Sequence, residues 1–388
     1  MVEKRDIYLD NSATTRCFPE AAALMNELFL EDYGNPSAMH HRGVTAERRI
    51  SQARKTLAGI LKVKEKNICF TSCGTESDNL AIIGAAMAMQ RKGKHLITTQ
   101  IEHPAVLEAM KYLESLGFEV TRLGVDRDGL VSPREAAAAV RPDTILVSVM
   151  HTNNIIGAVE PVEEIGRAVK AANPGLLFHV DAVQGFGKAQ IYPRRMNIDL
   201  LSVSGHKIHG PKGTGFLYIA DGVRLVPLMH GGGQQGGLRS GTENVPGIAG
   251  MALAAQMLYK DLDTDREKLF AMKNRLIERL STVPDIVFNG RTDETAAPHI
   301  LSVRVRGVRA EVLLHALEDR GIFVSAGSAC SSNHPRPSET LMAIGVPQKE
   351  MENSIRISLS VMNTMEEMDA AADTIAELVP FLRRFVRK

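Results

Sequence analysis

"LLSVSGHKIHGPKGTGFLY", residues 200–218, opens on a short apolar run and then turns to small and polar residues. The run reads as a strand buried on both faces, with Ser204, Gly205, His206 and Lys207 at its end. Two stretches upstream have the same build. "TSCGTESDN", residues 71–79, leaves the strand "NICFTS", turns through Gly74 and opens a helix at Thr75. "LFHVDAVQGFGK", residues 177–188, puts Asp181 at the end of a buried strand and Gln184 three residues later. Polar residues gathered beyond the ends of apolar strands mark an open α/β sheet, which binds ligands there.

The neighbouring sequence supplies the rest of that sheet. "AERRISQARKTLAGIL" sets Ala46, Ile50, Ala53, Leu57 and Ile60 at helical spacing. Helices are predicted over Thr75–Met89 and Ala105–Leu116, with strands at "KHLITT", "FEVTRL", "TILVSVM" and "LLFHV". Ser132, Pro133 and Glu135 form a helix start of the capping-box type. This alternation predicts a mostly parallel sheet covered by helices. Near Val245 the order changes. Helical patterns at Gly247–Asp261 and Asp265–Leu280 precede the strands "IVFN" and "HILSVRV". A helix at Ala310–Arg320, the strand "IRISLS" and a final helix capped by Thr364 and Glu367 follow. We expect a large α/β domain over residues 14–255 and a smaller α+β domain from residues 1–13 and 256–388.

Bulk properties exclude several classes of function. Hydrophobic residues make up 44% of 388, enough for a sizeable core. Lys plus Arg total 46 against 45 for Asp plus Glu, which argues against a nucleic-acid or membrane surface. The basic tail Arg383, Arg384, Arg387 and Lys388 closes the last helix, where cations complement the dipole. No apolar h-region follows Met1, and no run reaches the roughly 18 apolar residues of a spanning helix. Of the four cysteines only Cys69 and Cys73 are close, and no second pair offers a zinc site, so we expect no metal and a cytoplasmic protein with reduced thiols.

The three junctions suggest one chemistry together. A helix start with free N–H groups and the Thr75 hydroxyl suits a phosphate. Asp181 is a carboxylate that needs a partner if buried. Lys207, among glycines and hydroxyls, can form a Schiff base with an aldehyde. Lys212 lies in the same stretch, and spacing alone does not choose between the two lysines. Phosphate cradle, acid and lysine are what pyridoxal 5'-phosphate requires. The dinucleotide and P-loop alternatives lack their fingerprints, since "GGGQQGG" at Gly231 follows no first strand.

With "YLDNSATT", "YGNPSAMH", "TSCGTES", "IEHPAV", "HVDAVQ", "SGHKIHGPKG", "LRSGTEN" and "GSACSS", the chain resembles the group I cysteine desulfurases, fold type I pyridoxal-phosphate enzymes, over nearly its whole length. The resemblance implies that Lys207 carries the cofactor, Asp181 pairs with its pyridine nitrogen, Gln184 reaches its phenolic oxygen, and Asn154 contacts its ring. It implies that His103 stacks on the ring and assists proton transfer, and that Gly74, Thr75, Ser204 and His206 hold the phosphate. Thr242 would complete the phosphate site from the other subunit of a homodimer. Arg356 would take the carboxylate of L-cysteine, and Cys330 would be the nucleophile, passing its persulfide sulfur to an acceptor protein of iron–sulfur assembly or of tRNA or thiamine thiolation.

Cys330 stands in "SAGSACSSNHPRPS", Ser325–Ser338, too small and polar to pack as core. A mobile loop over about 325–338 is expected, because one thiol must reach both substrate and acceptor. Cys69 and Cys73 are expected to be structural, and Cys17 incidental. Two positions depart from the family pattern: Ile155 where Glu is common, and Gln235–Gly236 where Glu–Arg is common. Three other readings share the residues: a selenocysteine lyase, an aminotransferase with Cys330 as spectator, and a non-catalytic sulfur-delivery partner.

Overall fold

A computed structural model of the chain describes residues 6–327 and 338–384. Its centre is a seven-stranded sheet in the order Ile68–Thr71, Gly215–Ile219, Leu200–Ser204, Leu177–Asp181, Thr144–Met150, His95–Thr99, Glu119–Leu123. Strand Gly215–Ile219 runs antiparallel to both its neighbours, and the remaining pairs are parallel. The central strands are buried along their whole length, as helices on both faces require. The expectation of a mostly parallel, helix-covered sheet is met. The antiparallel strand arises because "KGTGFLY" turns back at Gly213, in the left-handed region at φ 73°, directly after the Lys207 turn.

A second sheet, antiparallel, joins Ser325–Ala326, Ser354–Ser358, Ile300–Val305 and Ile286–Asn289. Helices Leu262–Leu280 and Met365–Arg383 cover it, and the latter starts with the full capping box at Thr364 and Glu367. Helix Val245–Lys260 packs instead on Pro19–Leu30 and His41–Leu61, in the core of the large sheet as far as Leu258. Ile7–Tyr8 pairs in parallel with Ile322–Phe323, and Asp10 bridges to Ser358. The chain near residue 10 therefore runs along the second sheet before reaching the first. Among the described residues no helix is long and apolar enough to cross a membrane.

One buried acid makes stability depend on pH. Glu160 Oε2 accepts from Val131 N at 2.9 Å, and its Oε1 is buried without a partner among the described residues. Burial pushes this carboxyl from 4.5 up to about 8. The folded state thus keeps a proton that the unfolded chain releases near 4.5, so its stabilising contribution is complete below that pH and is lost as pH rises toward 8. Glu160→Gln keeps an acceptor for Val131 and removes the ionisation. Its stability advantage over the parent should grow by about 3 kcal/mol between pH 5 and pH 8. Urea melts at the two pH values check this, and an equal gap at both would refute it.

Candidate active site

Segments that follow the parallel strands enclose one cavity of about 370 Å³. Gly74, Thr75, His103, Asn154, Asp181, Gln184, Ser204, His206, Lys207 and Arg356 all line it. Lys207 stands on a single 3-10 turn, Gly205–Lys207, at the end of strand Leu200–Ser204. Glycine is needed there, because a Cβ at Gly205 would come within 2.4 Å of Thr214 Oγ1. Lys207 Nζ donates to Ala13 O at 2.8 Å and also to Ser12 O. Ser12 O accepts from Gln184 Nε2 at 2.9 Å as well, and Thr14 Oγ1 lies 3.2 Å from His206 Nδ1. Behind the turn, Lys188 Nζ donates to the carbonyl of Lys207. Burial, and then the charge of Lys207, pulls Lys188 down to about 7. Lys212 is exposed and does not line the cavity.

Asp181 closes strand Leu177–Asp181, and its Oδ1 accepts from Val183 N at 2.9 Å. Burial raises its pKa, while His103 and Lys207 oppose the rise. A cation delivered to this carboxylate would replace the water it has lost. Asp78, 1% exposed in helix Gly74–Met89, lines the same cavity. Its Oδ1 lies 3.5 Å from His179 Nε2. Burial and then the neighbouring Asp181 hold Asp78 well above the usual carboxylate range, and burial takes His179 down to about 3. His179 is thus a neutral ring shared between Ser148 at 2.8 Å and Ser202 at 2.9 Å.

His103 caps helix Pro104–Ser115, with Nδ1 accepting from Ala105 N at 3.1 Å, so in the neutral ring the proton is on Nε2. Its ring is open at the cavity mouth, yet enough protein surrounds it for desolvation to lower its pKa. His206 is brought to about 4 by burial and then by the charge of Lys207, which makes it a neutral donor at physiological pH. Arg356 donates from NH2 to Asp10 Oδ1 at 2.8 Å and from NH1 to Asn154 O at 2.9 Å.

An aldehyde–phosphate cofactor fits these residues. Ser204 Oγ is buried with no hydrogen-bond partner among the described residues, next to the start of helix Gly74–Met89, whose first N–H groups lack intrahelical partners. At Gly74 a Cβ would press to 2.7 Å from Val183 Cγ2 and 3.4 Å from Ser204 Cβ, so the cradle is open only because this residue is glycine. Amine, carboxyl and anion site thus share one enclosed space.

One of the expected cofactor contacts is not in that space. Thr242 is exposed and borders a separate recess with Arg239, Gln235 and Phe70. Its loop is tied to the helix start by Arg239 Nε, which donates to Glu76 Oε1 at 2.7 Å. Against its own burial, Glu76 is held below its usual range by Arg239 and Ser72. Cys330 lies outside the described residues; Ser325 and Ala326, just before, line the cavity. Conversely, Asp10, Ser12, Ala13, Asp78 and Lys188 belong to the site and were not singled out as site residues. Ser12 and Ala13 act through backbone carbonyls, which leave no side-chain signal.

Both departures have local reasons. Ile155 is 6% exposed and packs with Ile156, Leu341, Ile344 and Met351, where a carboxylate would lose its hydration. Gln235 Oε1 accepts from Phe70 N at 2.9 Å and Arg54 NH2 at 3.2 Å, and its Nε2 donates to Glu243. A glutamate at 235 would face Glu243 instead; the amide serves both acceptor and donor roles. Cys73 caps its helix through Sγ, and Cys69 is buried in its strand, where burial pushes the thiol up to about 12.

The class-V aminotransferase family profile matches residues 7–371. The cysteine desulfurase IscS of Methanosarcina thermophila is 45% identical over 381 residues, spanning 98% of this chain and 94% of the relative. Among solved structures, a NifS-like protein superposes with a TM-score of 0.92 at 40% identity, over 97% of this chain and 100% of that one. SspA in complex with cysteine superposes at 0.80 with 35% identity, over 92% and 100%.

Proposed function

The chain belongs to the class-V aminotransferase family and is a pyridoxal 5'-phosphate-dependent cysteine desulfurase, and from that premise we propose how its residues share the work. Cysteine is the substrate, and sulfur-acceptor proteins receive the product sulfur. Bound in the cavity, pyridoxal phosphate supplies an electron sink for bond breaking at the substrate's α-carbon. Gly74, Thr75, Ser204 and His206 would hold its phosphate. Asp181 would pair with its ring nitrogen, Gln184, Asn154 and His103 would contact the ring system, and Lys207 would anchor it.

Lys207 Nζ then takes the substrate's α-proton, and the Nε2 proton of His103 is placed to assist. Arg356 receives the carboxylate through its planar fork. The Cys330 thiolate attacks the substrate sulfur. A sulfur–sulfur bond forms, the substrate's carbon–sulfur bond breaks with its electron pair left on carbon, and protons complete alanine there. Cys330 is four residues beyond Ala326, which lines the cavity, and four extended residues span at most about 14 Å. The thiol is thus within chain reach of the substrate.

The protein works as a homodimer in the cytoplasm, with Thr242 completing the phosphate site of the other subunit. The exposure of Thr242 outside its own cavity supports this, as do Val226, Leu228 and Met229, large apolar side chains left exposed upstream in the same stretch. Cys17, Cys69 and Cys73 are free thiols, as a reducing compartment requires.

What carries the assignment most is that Lys207, Asp181, the unpartnered Ser204 hydroxyl and Arg356 share one cavity. The cofactor-loaded protein, given one equivalent of sulfur-labelled cysteine without an acceptor, should yield alanine and protein-bound sulfur in equal amounts. Alanine without bound sulfur would overturn the reading.

A further inference from the structure

Arg356 is gripped on two sides. NH2 donates to Asp10 Oδ1 at 2.8 Å and NH1 to Asn154 O at 2.9 Å, while Nε is buried with no acceptor among the described residues. The side chains of Arg356 and Asp10 are 7% and 20% exposed, so the pair is largely shielded from water. The three residues come from distant parts of the chain. Asp10 follows strand Ile7–Tyr8 and bridges to Ser358, Asn154 follows strand Thr144–Met150, and Arg356 lies within Ser354–Ser358. The register sets Arg356 opposite Ser325, so the guanidinium belongs to the cavity wall.

A guanidinium carries five coplanar donors, and anchoring two of them fixes the plane and leaves the others to a ligand. A bidentate carboxylate needs that fixed plane. The anchor is also an anion. Arg356 with Asp10 is a neutral unit, so a simple carboxylate entering beside it gains little net attraction, whereas a zwitterion brings its own cation to the pair. We propose that Asp10 is the positioning residue of the substrate-carboxylate site, orienting Arg356 and cancelling its charge so that the site takes an α-amino acid in preference to a simple carboxylate. This rests on the reading that Arg356 receives the substrate carboxylate.

Two variants separate the two roles. Asp10→Ala removes the acceptor and the charge. The KM for cysteine should rise by about 10-fold or more while kcat falls by less than about threefold, because Asp10 supports a group that binds rather than reacts. Asp10→Asn is isosteric, keeps an oxygen for Arg356 NH2 and removes only the charge. Its cysteine KM should fall between those of the parent and Asp10→Ala, because the oxygen that orients Arg356 is kept. It should also bind 3-mercaptopropionate, cysteine without its amino group, about 10-fold more tightly by calorimetry on the loaded protein. An unchanged KM in Asp10→Ala overturns the orienting role, and unchanged mercaptopropionate affinity in Asp10→Asn overturns the charge role. Arg356→Ala is the control: if it leaves the cysteine KM unaltered, the carboxylate reading itself fails. If it raises KM while Asp10→Ala does not, only the part assigned to Asp10 fails.

Discussion

Lys207→Ala is expected to lower cysteine turnover by about 10⁴-fold or more, because one substitution removes both the cofactor's anchor and the base at the α-carbon. The fold should survive. The carbonyl of Ser12 keeps its bond from Gln184, and the turn at Gly205 depends on backbone packing rather than on the lysine side chain. The measurement that checks the site directly is borohydride reduction of the loaded protein, followed by peptide mapping. The label should appear on the peptide containing Lys207 and vanish in the variant. Two other lysines make this a real contest. Lys212 follows in the same stretch but is exposed, and Lys188 is buried within hydrogen-bond reach of the Lys207 carbonyl. Label on either would refute the assignment.

Cys330→Ala should lose sulfur transfer by a similar factor, on the order of 10⁴ or more, yet leave cofactor binding untouched. The thiolate is the only group proposed to accept the substrate's sulfur, and alanine offers nothing in its place. The two variants therefore fail differently. Without Lys207 the absorbance of the lysine-linked cofactor disappears, whereas without Cys330 that absorbance persists and no protein-bound sulfur is found by mass spectrometry. Desulfuration at the parent rate by Cys330→Ala would remove Cys330 from the reaction. Supplying a small thiol to that variant separates a lost nucleophile from a misfolded one, since a diffusing thiolate can restore part of the turnover only if the cavity is intact.

Much of this arrangement is legible in the residues. The strands "TILVSVM" and "LLSVS" are apolar throughout because helices bury both faces, and the polar groups that end them mark the ligand side of the sheet. Asp181, Gln184 and the stretch that holds Lys207 and Lys212 follow from that pattern, whereas the choice between the two lysines does not and is made by the cavity, which Lys207 lines and Lys212 does not. Other parts have no local signature. Ser12 and Ala13 contribute carbonyl oxygens that any residue could provide. Asp78 lies inside a helix, where an acid ordinarily reads as a solvated face. The partnership of Asp10 with Arg356 joins residues 346 positions apart, and no periodicity spans that distance. The turn of Gly215–Ile219 against its neighbours is equally hidden, because an antiparallel strand buried on both faces has the same composition as a parallel one.

The run from Asp10 to Thr15 touches Arg356 at one end and the lysine turn at the other, with Asn11 donating to Ser358 O at 3.0 Å between them. During translation, residue 10 leaves the ribosome long before residue 356 exists, so this run must wait for the last strand before it can seat. A chain halted before strand Ser354–Ser358 has neither Arg356 nor the seat for residues 10–15, and should release no sulfur from cysteine.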